Sequence, residues 1–174
     1  LIRADTLHCW GNNGNGQLGD NTMTQRLVPT AVNGAGTWKT ISAGEQHTCG
    51  IKSDDTGYCW GYNFSGQVGD GTSGNTRLVP TVLNGGGTWK VVDPGTQHSC
   101  GIKSDNTAYC WGWNTNGQVG DNSTTQRFVP TAVSGGGTWK AVTAGNSQSC
   151  GIKSDDTLWC WGANGNGPVG DNST

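Results

Sequence analysis

Charge is scarce in this chain: only 13% of its 174 residues are Asp, Glu, Lys or Arg. The ten basic and twelve acidic residues are spread along the sequence, leave a net charge of -2, and never form a run of one sign. Nucleic acid and anionic membrane surfaces are recognised by concentrated basic footprints, so neither is an expected partner. No window approaches the roughly 18 apolar residues of a membrane helix, so no membrane insertion is expected. Leu1-Ile2-Arg3-Ala4-Asp5 lacks the charged and apolar regions of a signal peptide, and any export signal is expected upstream of it. Cys-x-x-Cys is also missing, which weakens a metal-ligand or redox reading of the cysteines.

What is abundant is glycine, with 31 residues, and tryptophan, with 9. That pairing suits short strands joined by tight turns and anchored by large aromatics, and long helices are not expected. Self-comparison gives the organisation. Cys9, Cys59, Cys110 and Cys160 each open the tripeptide Cys-Trp-Gly, at spacings of 50, 51 and 50 residues. The unit runs through Gly-Gln-Leu/Val-Gly-Asp, a polar loop, Arg-Leu/Phe-Val-Pro-Thr, a Gly-rich turn, Gly-Thr-Trp-Lys, and Ser/Thr-Cys-Gly-Ile-Lys-Ser-Asp. Its apolar segments, such as Trp89-Lys90-Val91-Val92, are short and bounded by Gly, Pro, Asn or Asp, which is strand and turn punctuation. A period of this length with several short strands fits one four-stranded propeller blade, which buries its faces only against its neighbours.

Trp10-Gly11-Asn12-Asn13-Gly14-Asn15-Gly16-Gln17-Leu18-Gly19 resembles the signature of the RCC1 repeat family, as do Trp60 to Gly69 and Trp111 to Gly120. The last copy departs from it at Pro168, where the others carry Gln17, Gln67 and Gln118. The resemblance covers nearly the whole chain. It implies an all-β fold of RCC1-like β-propeller blades, each a four-stranded antiparallel sheet, in rings usually of about seven blades. This chain supplies only a partial ring of about three to four blades. One array over residues 1–174 is expected, with a partial repeat 1–8, repeats 9–58, 59–109 and 110–159, and a partial repeat 160–174. An array that starts and stops in mid-repeat is expected to be part of a longer protein or to be completed by other chains.

Six of the seven cysteines fall in pairs ten residues apart: Cys49 and Cys59, Cys100 and Cys110, Cys150 and Cys160. Each pair flanks a turn such as Ser53-Asp54-Asp55, so an antiparallel hairpin sets its members opposite each other, within reach of a disulfide. Three such hairpin staples imply an oxidising compartment, outside the cell or at its surface. Cys9 lacks a mate because the matching position falls before Leu1; a free or intermolecular thiol is the alternative.

Other motifs have plainer readings. Gly14-Asn15-Gly16-Gln17-Leu18-Gly19 and Gly165-Asn166-Gly167-Pro168-Val169-Gly170 match a dinucleotide fingerprint, but no helix pattern follows them, so they are turn glycines and no cofactor is expected. Asp20, Asp70, Asp121 and Asp171 are too sparse for calcium and are expected to bond their own turns. His47 and His98 share one repeat position with Gln148, which points to packing or hydrogen bonding rather than catalysis or metal binding. His8, matching Tyr58, Tyr109 and Trp159, fills a strand site. All basic residues but Arg3 recur at three repeat positions and are expected on solvated faces or as structural donors. Asn-x-Ser/Thr triplets at Asn63, Asn122 and Asn172 arise readily in loops of this composition.

Trp10, Trp60, Trp111 and Trp161 recur, as do Trp38, Trp89 and Trp139; residues needed once per blade belong to the core. The positions that vary between blades are free for a ligand. Trp113 stands where other units have Asn12, Tyr62 and Ala163, and Phe64 where they have Gly14, Thr115 and Gly165. Tyr62, Phe64 and Trp113 are therefore the candidate ligand loop, with ordinary loop packing as the alternative. No acid, base and nucleophile break the repeat together, so an enzyme is not expected. The expected role is a non-catalytic extracellular binding or adhesion module with a protein partner or inhibitor-like function. The alternatives are a self-assembling ring, fibre or surface layer, and an accessory propeller of a larger enzyme. Among family activities, the plant photoreceptor's Gly-Trp-Arg-His-Thr segment is matched here only by Gly44-Glu45-Gln46-His47-Thr48, without its Trp and Arg.

Overall fold

The computed structural model describes residues 6–165, 167, 169 and 170. Pro168, Asp171 and Asn172 lie outside them. The apolar segments between turn residues form thirteen strands, and no helix occurs among the described residues. In chain order the strands are β1 (His8–Gly11), β2 (Arg26–Ala31), β3 (Trp38–Ala43), β4 (His47–Lys52), β5 (Gly57–Gly61), β6 (Arg77–Val82), β7 (Trp89–Pro94), β8 (His98–Lys103), β9 (Ala108–Gly112), β10 (Arg127–Ala132), β11 (Trp139–Ala144), β12 (Gln148–Lys153) and β13 (Leu158–Gly162).

They make two four-stranded antiparallel blades, β3-β4-β5-β6 and β7-β8-β9-β10, flanked by the pair β1-β2 and the three-stranded β11-β12-β13. The sheets do not close, so the architecture is a partial propeller ring. Neighbouring blades meet through their first two strands, β3 and β4 against β7, and β7 and β8 against β11. The three larger sheets each begin at Trp-Lys, whereas the sequence unit opens at Cys-Trp-Gly. A unit therefore starts in the third strand of one blade and ends in the third strand of the next, which ties adjacent blades covalently.

The core lies between blades. One cluster joins Cys49, Ile51, Cys59 and Leu83 of the first full blade to Trp89, Val92 and Trp111 of the second, and the next interface repeats it with Cys100, Ile102, Ala108, Trp139 and Val142. The two recurring tryptophans of a blade meet edge to face, with ring centroids 5.6 Å apart for Trp38 and Trp60 and 5.7 Å for Trp89 and Trp111. The indole of the second also reaches into the preceding blade: Trp60 Nε1 donates to Gln17 O and Trp111 Nε1 to Gln67 O, both at 2.9 Å. This explains why the signature couples tryptophan to a Gly-Gln-x-Gly turn. Gly69 (φ +75°) lies under Trp111, and a Cβ there would stand 2.5 Å from Nε1. Gly69→Ala should cost at least about 2 kcal/mol, from left-handed strain plus displacement of the indole. Gly74 (φ +84°) has nothing near its absent Cβ, and Gly74→Ala should cost only about 1 kcal/mol. Urea midpoints compare the two directly; equal losses would show that the indole contact adds nothing.

The structure joins Cys49 to Cys59, Cys100 to Cys110 and Cys150 to Cys160. Each pair is directly opposed across the second and third strands of its sheet. Cys9 has no partner among the described residues, and its partial burial raises the thiol pKa. Asn63 is fully buried, so its glycosylation triplet is closed in the folded chain, whereas Asn122 is exposed.

Candidate functional site

Because strands alternate in direction, one face of the array carries the inner turns 44–46, 95–97 and 145–147 together with the long loops 12–25, 62–76 and 113–126. The hairpin turns 53–56, 104–107 and 154–157 lie at the other face. The long loops are built around a recurring asparagine. Asn63 Oδ1 accepts from Val68 N at 3.0 Å while its Nδ2 donates to Thr72 O and Asp70 Oδ1 at 3.3 and 3.4 Å. Asp70 Oδ1 accepts from the Thr72 amide and hydroxyl at 3.0 and 2.7 Å, and Arg77 Nε donates to Oδ2 at 2.5 Å. Burial alone would raise the Asp70 carboxyl pKa, but the Thr72 hydroxyl, Arg77 and the Thr72 amide together bring it below its ordinary value. Asn13, Asp20 and Arg26 repeat the arrangement, as do Asn114, Asp121 and Arg127. The aspartates thus bond their own turns as the sequence suggests, and the recurring arginines are their ion-pair partners.

This polar frame fixes each loop from within and leaves its outward positions free to vary. Tyr62 and Phe64 use that freedom. Their rings stack with centroids 5.0 Å apart and planes at 22°, and Phe64 remains 54% exposed. Trp113 is not part of that stack. It occupies the position equivalent to Tyr62 one blade along, half-buried, with its amide donating to Gln97 O at 2.9 Å as the Tyr62 amide does to Gln46 O. The structure therefore brings two of the three candidate residues together and sets the third on the adjacent blade of the same face.

The sequence matches the family described as Regulator of chromosome condensation (RCC1) repeat over residues 5–51 and 105–152, and a second family of the same description over 38–67 and 139–167. The chain belongs to the RCC1 repeat family. No curated protein matches it. Among solved structures, Prp20p from Saccharomyces cerevisiae is similar with a TM-score of 0.84 at 23% identity, over 97% of this chain and 44% of that one. Human WBSCR16 gives 0.79 at 21% identity, over 91% and 43%. The ectodomain of the Physcomitrella patens receptor kinase CR4 gives 0.59 at 22% identity, over 92% and 36%. At these identities the likeness concerns the fold, and the chain spans about two fifths of the length of these structures. Yeast RCC1 (Prp20) is solved bound to Kap60, and Prp20p is described by its binding to Gsp1p and histones.

Within the RCC1 repeats, the histidines form blade-to-blade contacts. Ser99 Oγ donates to Gln67 O at 2.9 Å, which spends its one proton, so the 2.7 Å contact from His47 Nε2 must be a donation to that oxygen. His98, Ser149 and Gln118 O repeat the relay one blade along. Both imidazoles are wholly buried and each Nδ1 has no partner. Desolvation, with the charge of His98 second, pushes the His47 pKa down to about 3. Desolvation, partly opposed by Asp93, pushes that of His98 down to about 4. Neutral, fully enclosed rings of this kind link blades; they do not face a substrate.

Asp93 was not singled out from the sequence. Its Oδ1 accepts from Ser42 Oγ at 3.2 Å, and its Oδ2 from Thr143 Oγ1 and Ala144 N, both at 2.9 Å, so one carboxylate bridges three inner strands. The available signal was a departure from the repeat: Asp93-Pro94 stands where other units have Ser42-Ala43 and Thr143-Ala144.

Proposed function

We propose that this RCC1-repeat array is a non-catalytic, extracellular protein-binding module whose loop face, bearing Tyr62, Phe64 and Trp113, is the recognition surface. The observation that carries the reading is the Tyr62–Phe64 stack, an exposed aromatic shelf at positions the blade does not need. Rigid aromatics on fixed loops supply contact area at low entropic cost, as binding surfaces do elsewhere. The three disulfides support an oxidising location. That the similar yeast protein is solved bound to Kap60 and binds Gsp1p and histones supports protein recognition as a use of this fold.

The test is capture of surface and secreted proteins by the native chain and by Tyr62→Ser/Phe64→Ser/Trp113→Ser. An identified partner should bind the triple variant at least tenfold more weakly, about 1.4 kcal/mol or more, while thermal stability is unchanged. A partner retained by the triple variant but lost on changing the opposite face would overturn the assignment.

Association through the blade flanks is a second reading. Trp10 is 61% exposed, whereas its counterparts Trp60 and Trp111 at interior interfaces are wholly buried. Solution size by light scattering separates it from the first, since loop-face binding requires no self-association.

A further inference from the structure

The loop face is unusual in charge as well as in aromatics. Its arginines are each held by an aspartate: Arg26 by Asp20, Arg77 by Asp70, Arg127 by Asp121. The lysines belong to the opposite face. Lys39 and Lys140 pair with Asp55 and Asp156, Lys90 donates to Asn106 Oδ1, and Lys52, Lys103 and Lys153 lie over the rings of Trp38, Trp89 and Trp139. Among the described residues, what remains on the loop side is anionic. Glu45 sits exposed in an inner turn where other units have Thr96 and Asn146, and Asp93 lies at the loop-face end of β7. Among the described residues neither carboxylate has a cation within ion-pair distance.

These departures from the repeat are neighbours. The Tyr62 amide is bonded at 2.9 Å to Gln46 O, the residue after Glu45, so the aromatic shelf and the free carboxylate are anchored to the same turn. The Glu45 amide in turn approaches Gly95 O at 3.4 Å, which brings it to the strand end that carries Asp93. A surface on which an exposed, unpaired carboxylate, Glu45, shares a turn with the anchor of the stacked aromatics attracts a cation by Coulomb attraction, and the ring faces add to it.

We infer that the occupant of this face is a protein loop presenting a lysine or arginine beside a large apolar side chain. The cation sits over the Glu45 turn and the apolar group on the Tyr62–Phe64 shelf. The inference rests on the proposed role of the loop face and specifies its partner's chemistry.

The test uses the full oxidised chain, isotopically labelled, and three disulfide-closed peptides that differ only at two adjacent turn positions: Trp-Lys, Trp-Glu and Gly-Lys. Closure limits the ordering cost that would mask weak recognition. The Trp-Lys peptide should shift the amide signals of Tyr62, Phe64 and residues 44–46, and bind about fivefold or more tightly than either of the others at low salt. Glu45→Lys, a change in an exposed turn that leaves thermal stability unaltered, should reverse the order of Trp-Lys and Trp-Glu. If Trp-Lys and Trp-Glu shift the same signals with equal affinity, the face binds but the charge inference is wrong. Equal binding of Gly-Lys removes the shelf's part in it. If no peptide shifts signals on this face, both the inference and the proposed recognition surface fall.

Discussion

Taking the oxidised chain from pH 6 to pH 4 should cost the fold roughly 4–5 kcal/mol through His47 and His98 alone. Their folded pKa values, about 3 and about 4, lie below the ordinary 6.5. Between those values the unfolded chain binds protons that the folded chain refuses, so stability is complete above about pH 6.5 and falls as the solution is acidified. Each ring loses up to about 1.4 kcal/mol per pH unit in that window. The loss is set by burial, because an imidazolium at either position would place a new N–H at Nδ1, where no acceptor waits.

The third unit shows how to isolate the effect. Gln148 occupies the histidine position, half-buried, and takes the Ser147 amide on its Oε1 at 3.1 Å, so the sequence unit accepts an amide at that place. In His47→Gln/His98→Gln the neutral amide does not titrate, and the difference between urea unfolding energies at pH 6 and pH 4 should shrink by most of that amount. The aspartates, with pKa values depressed from the ordinary 3.8, keep nearly all of their contribution in this window and lose it only as the pH falls further. An unchanged acid loss in the double variant would mean that the histidines are not the proton-binding groups.

Much of the architecture was legible because propeller blades are defined by what recurs. The Cys-Trp-Gly period, the strand punctuation and the opposed cysteines each correspond to a structural element: a third strand, a short sheet, a cross-strand staple. Two things were less legible. The sheet boundaries fall half a unit away from the most conspicuous tripeptide, since a repeat has no intrinsic starting point and only hydrogen bonding decides which strands share a sheet. The roles of the recurring polar residues were hidden as well. That Arg77 closes on Asp70, or that His47 meets Ser99 of the next blade, depends on contacts across loops and between blades that spacing alone does not encode.

The candidate site was legible for the opposite reason. Tyr62, Phe64 and Trp113 stand out as departures from the repeat, and departures without a packing role are free to serve recognition. The same logic applies to Asp93 and Glu45, which escape attention when aromatics alone are considered. Asp93 shows that a departure can also be structural, since it fastens three inner strands. Exposure separates the two cases: Phe64 and Glu45 face solvent, while the Asp93 oxygens are already engaged.

Full reduction should unfold the chain. Each staple closes a loop of ten residues' separation, which on the loop-entropy account is worth roughly 3 kcal/mol, and three together approach 9 kcal/mol. Domains of this size hold only about 5–15 kcal/mol in total, so the reduced chain has little or no margin left at neutral pH. The order of loss follows access. Cys49, Cys59, Cys100 and Cys110 are wholly buried, whereas Cys150 and Cys160 are half-buried beside the exposed Leu158 and Trp159. Mild reductant followed by alkylation and peptide mass analysis should therefore label Cys150 and Cys160 first, with β-sheet circular dichroism nearly intact. The four buried cysteines should react later and together, as the signal collapses. Uniform labelling of all six would show that the array opens as one unit before any staple is cut. Survival of the sheet signal after complete reduction would show that the blades hold without staples, and would remove the physical reason for assigning the chain to an oxidising compartment.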